Sequence, residues 1–119
     1  MRVHHLAFRT DDLPRLERFY VEALGLAVTK RNDARSVWLD AGGAIVMLEQ
    51  REAGEPPPPP GSQELAAFAL DPSSLPVVKE RLARAGVAVE ASTAFTLYVR
   101  DPDGRRIGLS SYPVPLPVA

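Results

Sequence analysis

Two halves of this chain repeat the same order of sequence patterns, and that repeat limits the fold more than any other feature does. In each half a short apolar segment precedes a pattern with helical spacing, which ends at Gly25 or Gly86, and strand-like segments follow. One half alone would leave one face of its sheet bare. The repeat therefore predicts an α+β fold of paired βαβββ modules, which join within one chain or by exchange between two chains.

The segments of each half can be placed by their periodicity and their turn residues. The first half predicts strands at residues 3–9, 26–30, 36–40 and 44–50, with a helix that follows the capping residues Asp11 and Asp12 and carries Pro14 in its first turn. The second half predicts strands at residues 65–70, 87–90, 96–100 and 106–110, with a helix that follows the capping segment 71–74. We therefore expect one domain over residues 1–119, with module one at 1–50 and module two at 63–112.

The twelve prolines mark the irregular parts of the chain. Five of them are consecutive, at residues 56–60, and three more lie in the tail at residues 113–119. Consecutive prolines adopt polyproline II and cannot donate to a strand ladder. We expect residues 51–62 to form a semi-rigid linker between the modules and the tail to be irregular.

Composition excludes several classes of function. The net charge of −1 gives no electrostatic footprint for nucleic acid or for an anionic membrane. Cysteine is absent, which excludes disulfides, thiolate metal ligands and a cysteine nucleophile. Residues 1–12 lack the apolar core of a signal peptide, and no apolar run reaches membrane-spanning length. We expect a cytoplasmic protein with no nucleic-acid or membrane partner.

Two motifs near the ends of the chain are specific enough to compare with a known family. The first is HLAFRTDDL at residues 5–13, followed by Phe19-Tyr20 and then by Leu24-Gly25-Leu26. The second is RDPDG at residues 100–104, followed by Ile107 and Leu109. In this order they resemble the opening and closing motifs of the vicinal-oxygen-chelate superfamily, which includes glyoxalase I, bleomycin-resistance proteins and extradiol dioxygenases. The resemblance implies an eight-stranded, cup-shaped mixed sheet with the ligand inside it, and a homodimer.

Enzymes of that family hold a divalent metal with up to four side chains, which come from the first and last strands of each module. His5 matches the first of these positions. Leu65, Met47 and Gly108 stand at the other three, and none of these residue types is a usual ligand; Gly108 is instead expected to open volume for a bulky ligand. Glu49 lies two residues beyond Met47, and a slip of the register would bring it towards His5. His5 and Glu49 are therefore an incomplete metal site, since three protein ligands are the usual minimum.

The remaining inward positions favour an organic ligand. Strand alternation turns soft, apolar and a few charged side chains towards the ligand, a mixture that suits a medium-sized organic molecule. The residues predicted to bind it are His5, Ala7, Arg9, Trp38, Met47, Leu65, Tyr98, Arg106 and Gly108.

Three hypotheses about function follow. The first is a homodimeric, metal-independent protein that needs no cofactor and binds a small organic molecule. The second is a metal-dependent lyase of the glyoxalase type or a dioxygenase, which would use His5, Glu49 and a third group such as Gln63 or Glu64. The third is an interaction module whose interior is filled by its own side chains. No catalytic residue can be assigned from the sequence.

Overall fold

A computed structural model describes residues 1–117 of the chain. It divides into two compact units, of which the first spans Met1–Pro57 and the second begins at Pro58.

The first unit begins with a strand, a helix and three further strands. Strand β1 (His5–Thr10) leads into helix α1 (Leu13–Arg18), which continues as a π-helical turn over Phe19–Ala23. Strands β2 (Ala27–Asn32), β3 (Ser36–Asp40) and β4 (Ile45–Gln50) follow. The carboxylate of Asp12 accepts a hydrogen bond from the backbone N–H of Arg15 at 3.2 Å and caps the helix.

The second unit repeats this order. Strand β5 (Leu65–Ala69) is followed by a 3₁₀ turn (Pro72–Ser74) and by helix α2 (Leu75–Arg84). Strands β6 (Ala91–Ser92), β7 (Thr96–Arg100) and β8 (Arg106–Ser110) complete it. The carboxylate of Asp71 accepts hydrogen bonds from the backbone N–H and the hydroxyl of Ser73, at 2.9 and 2.8 Å, and so fixes the turn before α2.

Each unit forms a four-stranded mixed sheet in which the first strand pairs with the last. The strand order is β1-β4-β3-β2 in the first unit and β5-β8-β7-β6 in the second. The pairs β1–β4 and β5–β8 are parallel, and the other pairs are antiparallel. The register places His5 opposite Ile45 and Leu65 opposite Arg106.

One face of the first sheet packs against its helix. The ring of Phe8 on β1 lies 5.7 Å from the ring of Tyr20, which is fully buried. Leu16, which precedes Tyr20 by four residues, is also fully buried. Val46 and Leu48 are the buried residues of β4. The second sheet buries the same kind of residue, namely Leu97, Val99, Ile107 and Leu109. Each unit therefore has its own apolar core.

The predicted α+β class and the βαβββ order of both halves are confirmed. The prediction for residues 87–90 differs from the structure, because the strand there contains only Ala91 and Ser92. The backbone N–H of Val87 donates to the carbonyl of Leu82 at 2.8 Å, and that of Gly86 donates to Ala83 at 3.1 Å. These bonds close the end of α2 as a Schellman motif and delay the start of the strand.

The proline-rich segments carry no regular structure within the described residues. No helix or strand occurs between Gln50 and Leu65. In the tail, the backbone N–H of Leu116 donates to the carbonyl of Ala94 at 2.7 Å, so the tail is attached to the second unit. The last two residues of the predicted tail, 118 and 119, lie outside the described residues. No described helix is long and apolar enough to cross a membrane.

Candidate functional site

The face of the first sheet opposite its helix carries most of the residues that the sequence singles out. We call it the helix-free face of the first sheet and define it by alternation from Phe8, which packs towards the helix. Its members are His5, Ala7 and Arg9 of β1, Trp38 of β3, and Ile45, Met47 and Glu49 of β4. Ala7, Met47 and Trp38 stand in one row across the three strands.

Trp38 is the centre of an apolar patch with a cation beside it. Its indole ring is half-buried and lies opposite Met47, and the Nζ of Lys30 stands 4.7 Å from the ring centroid. The indole Nε1 is buried and has no hydrogen-bond partner among the described residues. A flat ring, a polarizable thioether and an ammonium group together suit an aromatic or conjugated organic molecule.

Arg9 is already engaged by two carboxylates. Its Nε donates to both oxygens of Glu55, at 3.0 and 2.8 Å, and its Nη1 donates to Glu49 at 3.3 Å. Glu55 belongs to the proline-rich segment, so this ion pair holds that segment against the first sheet. The hydrogen bond from Arg9 lowers the pKa of the Glu55 carboxyl from its ordinary value of 4.5.

We expect the Arg9–Glu55 ion pair to make stability depend on acidic pH. A carboxyl group whose pKa is lowered in the folded state contributes stability in full above its ordinary pKa of 4.5. That contribution is lost as the pH falls through the lowered value. The difference in Tm between the wild type and Glu55→Gln should therefore shrink as the pH is lowered from 6 to about 3.

The same experiment contains its own control. Arg9→Gln should remove the same pH-dependent part of the stability, and the double variant should remove no more of it than either single one. A wild-type minus Glu55→Gln difference that stays constant across this pH range would show that the ion pair does not act in solution.

The structure separates the two residues of the predicted metal site. His5 pairs with Ile45, whereas Glu49 pairs with Arg9, so no register slip brings Glu49 to His5. Four residues along a strand correspond to about 13 Å. Ligands of one metal bind at about 2 Å from it and therefore lie close together.

His5 itself is exposed, and its nearest polar neighbour is another histidine. The Nδ1 atoms of His4 and His5 are 3.0 Å apart, so this pair could offer a metal ion two nitrogen ligands at most. Among the described residues no group of three His, Asp or Glu side chains could hold a metal ion. The donor set therefore does not fit the metal site that the family resemblance implies.

The second sheet has a face that lies opposite the buried Ile107 and Leu109, and we call it the Gly108 face; its members are Leu65, Ala67, Tyr98, Arg106 and Gly108. Leu65 and Ala67 on β5 are exposed, and Tyr98 on β7 stands opposite Gly108 on β8. Gly108 does not open the volume predicted for it. A Cβ placed there would lie 3.3 Å from the Cβ of Ala67, and the side chains of Thr96 and Leu65 would be 3.4 and 3.5 Å away. The neighbouring side chains already fill that space.

Arg106 lies against Tyr98. Its guanidinium carbon stands 4.1 Å from the tyrosine ring centroid, and its Nε is 3.6 Å from a carboxylate oxygen of Glu90. That Nε is buried and has no hydrogen-bond partner among the described residues. Glu90 is held mainly by Arg100, whose Nε donates to both of its oxygens at 3.1 Å.

A buried aspartate fixes the turn that brings β7 and β8 together. The carboxylate of Asp101 accepts hydrogen bonds from the backbone N–H groups of Asp103 and Arg105, at 2.9 and 3.0 Å. It also accepts one from Nη1 of Arg105, at 3.1 Å. The DPDG motif therefore fixes the turn that precedes β8, whose first residue is Arg106.

Three residues of these faces were not anticipated from the sequence. Lys30 reaches Trp38 only because a register shift between Val28 and Lys30 realigns β2. Glu55 lies in the proline-rich segment and Glu90 at the end of the strand predicted at residues 87–90, and nothing in the sequence connects them with Arg9 or Arg106.

Comparison with known proteins supports the fold and the family. The family model described as "Glyoxalase/Bleomycin resistance protein/Dioxygenase superfamily" matches residues 2–109. The virulence protein STM3117 of Salmonella typhimurium is 30% identical over 123 residues, which cover 93% of this chain and 84% of that protein.

Solved structures give the same result for the fold. A glyoxalase/dioxygenase from Nostoc punctiforme superposes with a TM-score of 0.75 at 22% identity, over 91% of this chain and 88% of that one. The lactoylglutathione lyase from Agrobacterium tumefaciens superposes with a TM-score of 0.70 at 22% identity, over 92% of both chains. With a family model that matches most of its length, this chain belongs to the glyoxalase/bleomycin resistance protein/dioxygenase superfamily.

Proposed function

We propose that this protein binds small organic molecules on the helix-free face of its first sheet or on the Gly108 face of its second sheet, and that it does so without a metal. The observation that carries the proposal is the half-buried Trp38–Met47 patch with Lys30 beside it. The patch offers a flat apolar surface and a charge at its edge, which are the features of a ligand site rather than of a core.

The chemistry of the donors supports metal independence. A catalytic zinc site usually has three protein ligands within bonding distance of the ion. His5 lies four residues from the level of Glu49, and Glu49 is hydrogen-bonded to Arg9. We therefore derive no chemical step through a metal and propose sequestration of the ligand as the function.

The residues divide into two groups by the part of the ligand they suit. On the first sheet, Trp38, Met47 and Ala7 suit an apolar or aromatic body, and His5, Arg9 and Lys30 suit polar substituents. On the second sheet, Leu65 suits an apolar body and Arg106 suits a polar substituent. Gly108 stands opposite Tyr98 in the same sheet.

The proposal is tested by the fluorescence of the single tryptophan. We expect aromatic natural products, titrated into chelator-treated protein, to change the emission of Trp38 in a saturable way. Because the burial of apolar surface on Met47 contributes to binding, Met47→Ala should weaken the affinity about tenfold. Val77→Ala, on the exposed side of α2, is the matched control and should leave the affinity unchanged.

Metal enters this experiment as a separate arm. Nickel, zinc, iron(II) and manganese should neither create nor strengthen the change in Trp38 emission. Tight one-to-one metal binding that is lost in His5→Ala would overturn the proposal in favour of a metal-dependent lyase or dioxygenase. The absence of any saturable response across the compounds would favour the interaction module instead.

The state of assembly and the compartment form part of the same proposal. We infer that the chain acts in the cytoplasm as a homodimer, as its family membership suggests. Light scattering of the purified protein should give twice the chain mass of 12.9 kDa, and a value equal to one chain would contradict the dimer.

A further inference from the structure

Arg106 is the least satisfied charged side chain of the second sheet. Its side chain is only 17% exposed, and its buried Nε has no hydrogen-bond partner among the described residues. The contacts of its guanidinium group are the Tyr98 ring at 4.1 Å and the Glu90 carboxylate at 3.6 Å. The first contact is not a hydrogen bond, and the second is too long to be one.

This arrangement compensates the charge of Arg106 without using its donors. A guanidinium group carries five N–H donors in a fixed planar fork. An aromatic face and a carboxylate at ion-pair distance stabilise the positive charge, but they leave the fork without an acceptor. The molecule therefore holds a guanidinium in a defined plane, with donors that a further group can use.

Three other arginines of the chain differ from Arg106, because each donates hydrogen bonds to oxygen acceptors. Arg100 stands opposite Arg106 across the β7–β8 pair and donates to Glu90 and to the carbonyls of Ser62 and Gly104. Arg105 donates to Asp101 and Asp103. Arg9 in the first unit donates to Glu49 and Glu55.

The local charge also favours an anion. Arg100, Glu90 and Arg106 together carry one net positive charge, because the single carboxylate is shared by two guanidinium groups. Both oxygens of Glu90 are engaged by Arg100, at 3.1 Å each. Glu90 therefore neutralises one arginine and leaves the charge of the other available.

We propose that Arg106 is the receptor for an oxyanion, the carboxylate or phosphonate group of a small organic molecule. Tyr98 holds the guanidinium plane, and the two Nη groups, rather than the buried Nε, donate two parallel hydrogen bonds to the oxyanion. The inference rests on the proposed function and adds to it the chemical class of the ligand: an organic acid rather than a neutral molecule.

The test uses benzoate and phenylphosphonate as probes, with neutral benzamide as their isostere. The side-chain Nε–H signal of Arg106 is identified in a nitrogen-15 NMR spectrum of the full chain by its loss in Arg106→Lys. We expect both acids to shift this signal in a saturable way and benzamide to leave it unchanged. Calorimetry should show affinity for the acids reduced at least fivefold in Arg106→Lys and lost in Arg106→Met.

The matched control is Arg84→Lys, at a side chain that is 78% exposed on α2, and it should bind the acids like the wild type. Circular dichroism of each variant shows whether the fold is retained. If Arg106→Met does not fold, the test relies on Arg106→Lys, which keeps the positive charge. Equal shifts with acid and amide, or no shift at Arg106 at all, would overturn the proposal and leave Arg106 as a structural partner of Glu90.

Failure here can be told apart from failure of the proposed function. Emission from Trp38 reports binding on the first unit and can be followed with neutral compounds. If a neutral compound changed the Trp38 emission and neither acid shifted the Arg106 Nε–H signal, the binding function would be retained and the oxyanion receptor rejected.

Discussion

Replacement of Asp101 by alanine should lower the free energy of unfolding by about 3 kcal/mol, among the largest effects expected from one polar side chain in this protein. The carboxylate is buried and accepts hydrogen bonds from two backbone N–H groups and from Arg105. Removing it leaves those backbone donors without their acceptor inside the turn, while Arg105 keeps its ion pair with Asp103.

Urea denaturation followed by circular dichroism measures this loss. Asp103→Ala is the matched control, because Asp103 lies in the same turn and its carboxylate accepts one longer bond, from Arg105 at 3.3 Å. We expect that control to cost about 1 kcal/mol or less. Equal losses in the two variants would mean that the turn does not depend on the Asp101 carboxylate. Since this turn precedes Arg106, Asp101→Ala should also weaken the binding of benzoate.

Tyr20→Ala should destabilise the first unit by about 4 kcal/mol. The tyrosine is 0% exposed, and its ring lies 5.7 Å from Phe8 and 5.0 Å from Phe19. The substitution removes a large ring from the only helix of this unit and leaves a cavity that the surrounding strands cannot close.

The loss can be followed through the emission of Trp38, which lies in the same unit. Tyr112→Ala provides the matched control, since this tyrosine is 73% exposed and contacts Phe95 at 5.1 Å. An effect of about 1 kcal/mol or less is expected there. If Tyr20→Ala unfolded at the same urea concentration as the control, the packing of the helix on β1 would not be what stabilises the unit.

Strands bounded by strong turn signals could be predicted to the residue. The structure has strands at Ser36–Asp40, Thr96–Arg100 and Arg106–Ser110, the same ranges that the sequence predicts. Each combines alternation with a neighbouring Asp or Gly that stops the ladder. By contrast, the π-helical turn at Phe19–Ala23 was not predictable, because the apolar residues there recur at three- and four-residue spacing, which predicts an α-helix.

For the candidate site, the sequence predicts only what strand alternation determines, which is the face of the strand on which each side chain lies. The pattern assigns His5, Ala7 and Arg9 to one face, and the structure is consistent with that face. It does not determine which residue of β4 stands opposite each of them, because a parallel partner forty residues away sets that register. Nor does it show that Ala67 and Thr96 fill the space beside Gly108.

The parallel pairing of the first strand with the last also sets a delay during synthesis. His5 pairs with Ile45, so the ribosome must add 45 − 5 = 40 residues before β1 can find its partner. At typical elongation rates this takes about 2 to 8 seconds. During that time Leu6 and Phe8 have no strand beside them. In the second half, Leu65 likewise has no pairing partner until Arg106 has been added. The nascent chain therefore presents an unpaired apolar strand twice, each time long enough for a chaperone or a neighbouring nascent chain to bind it.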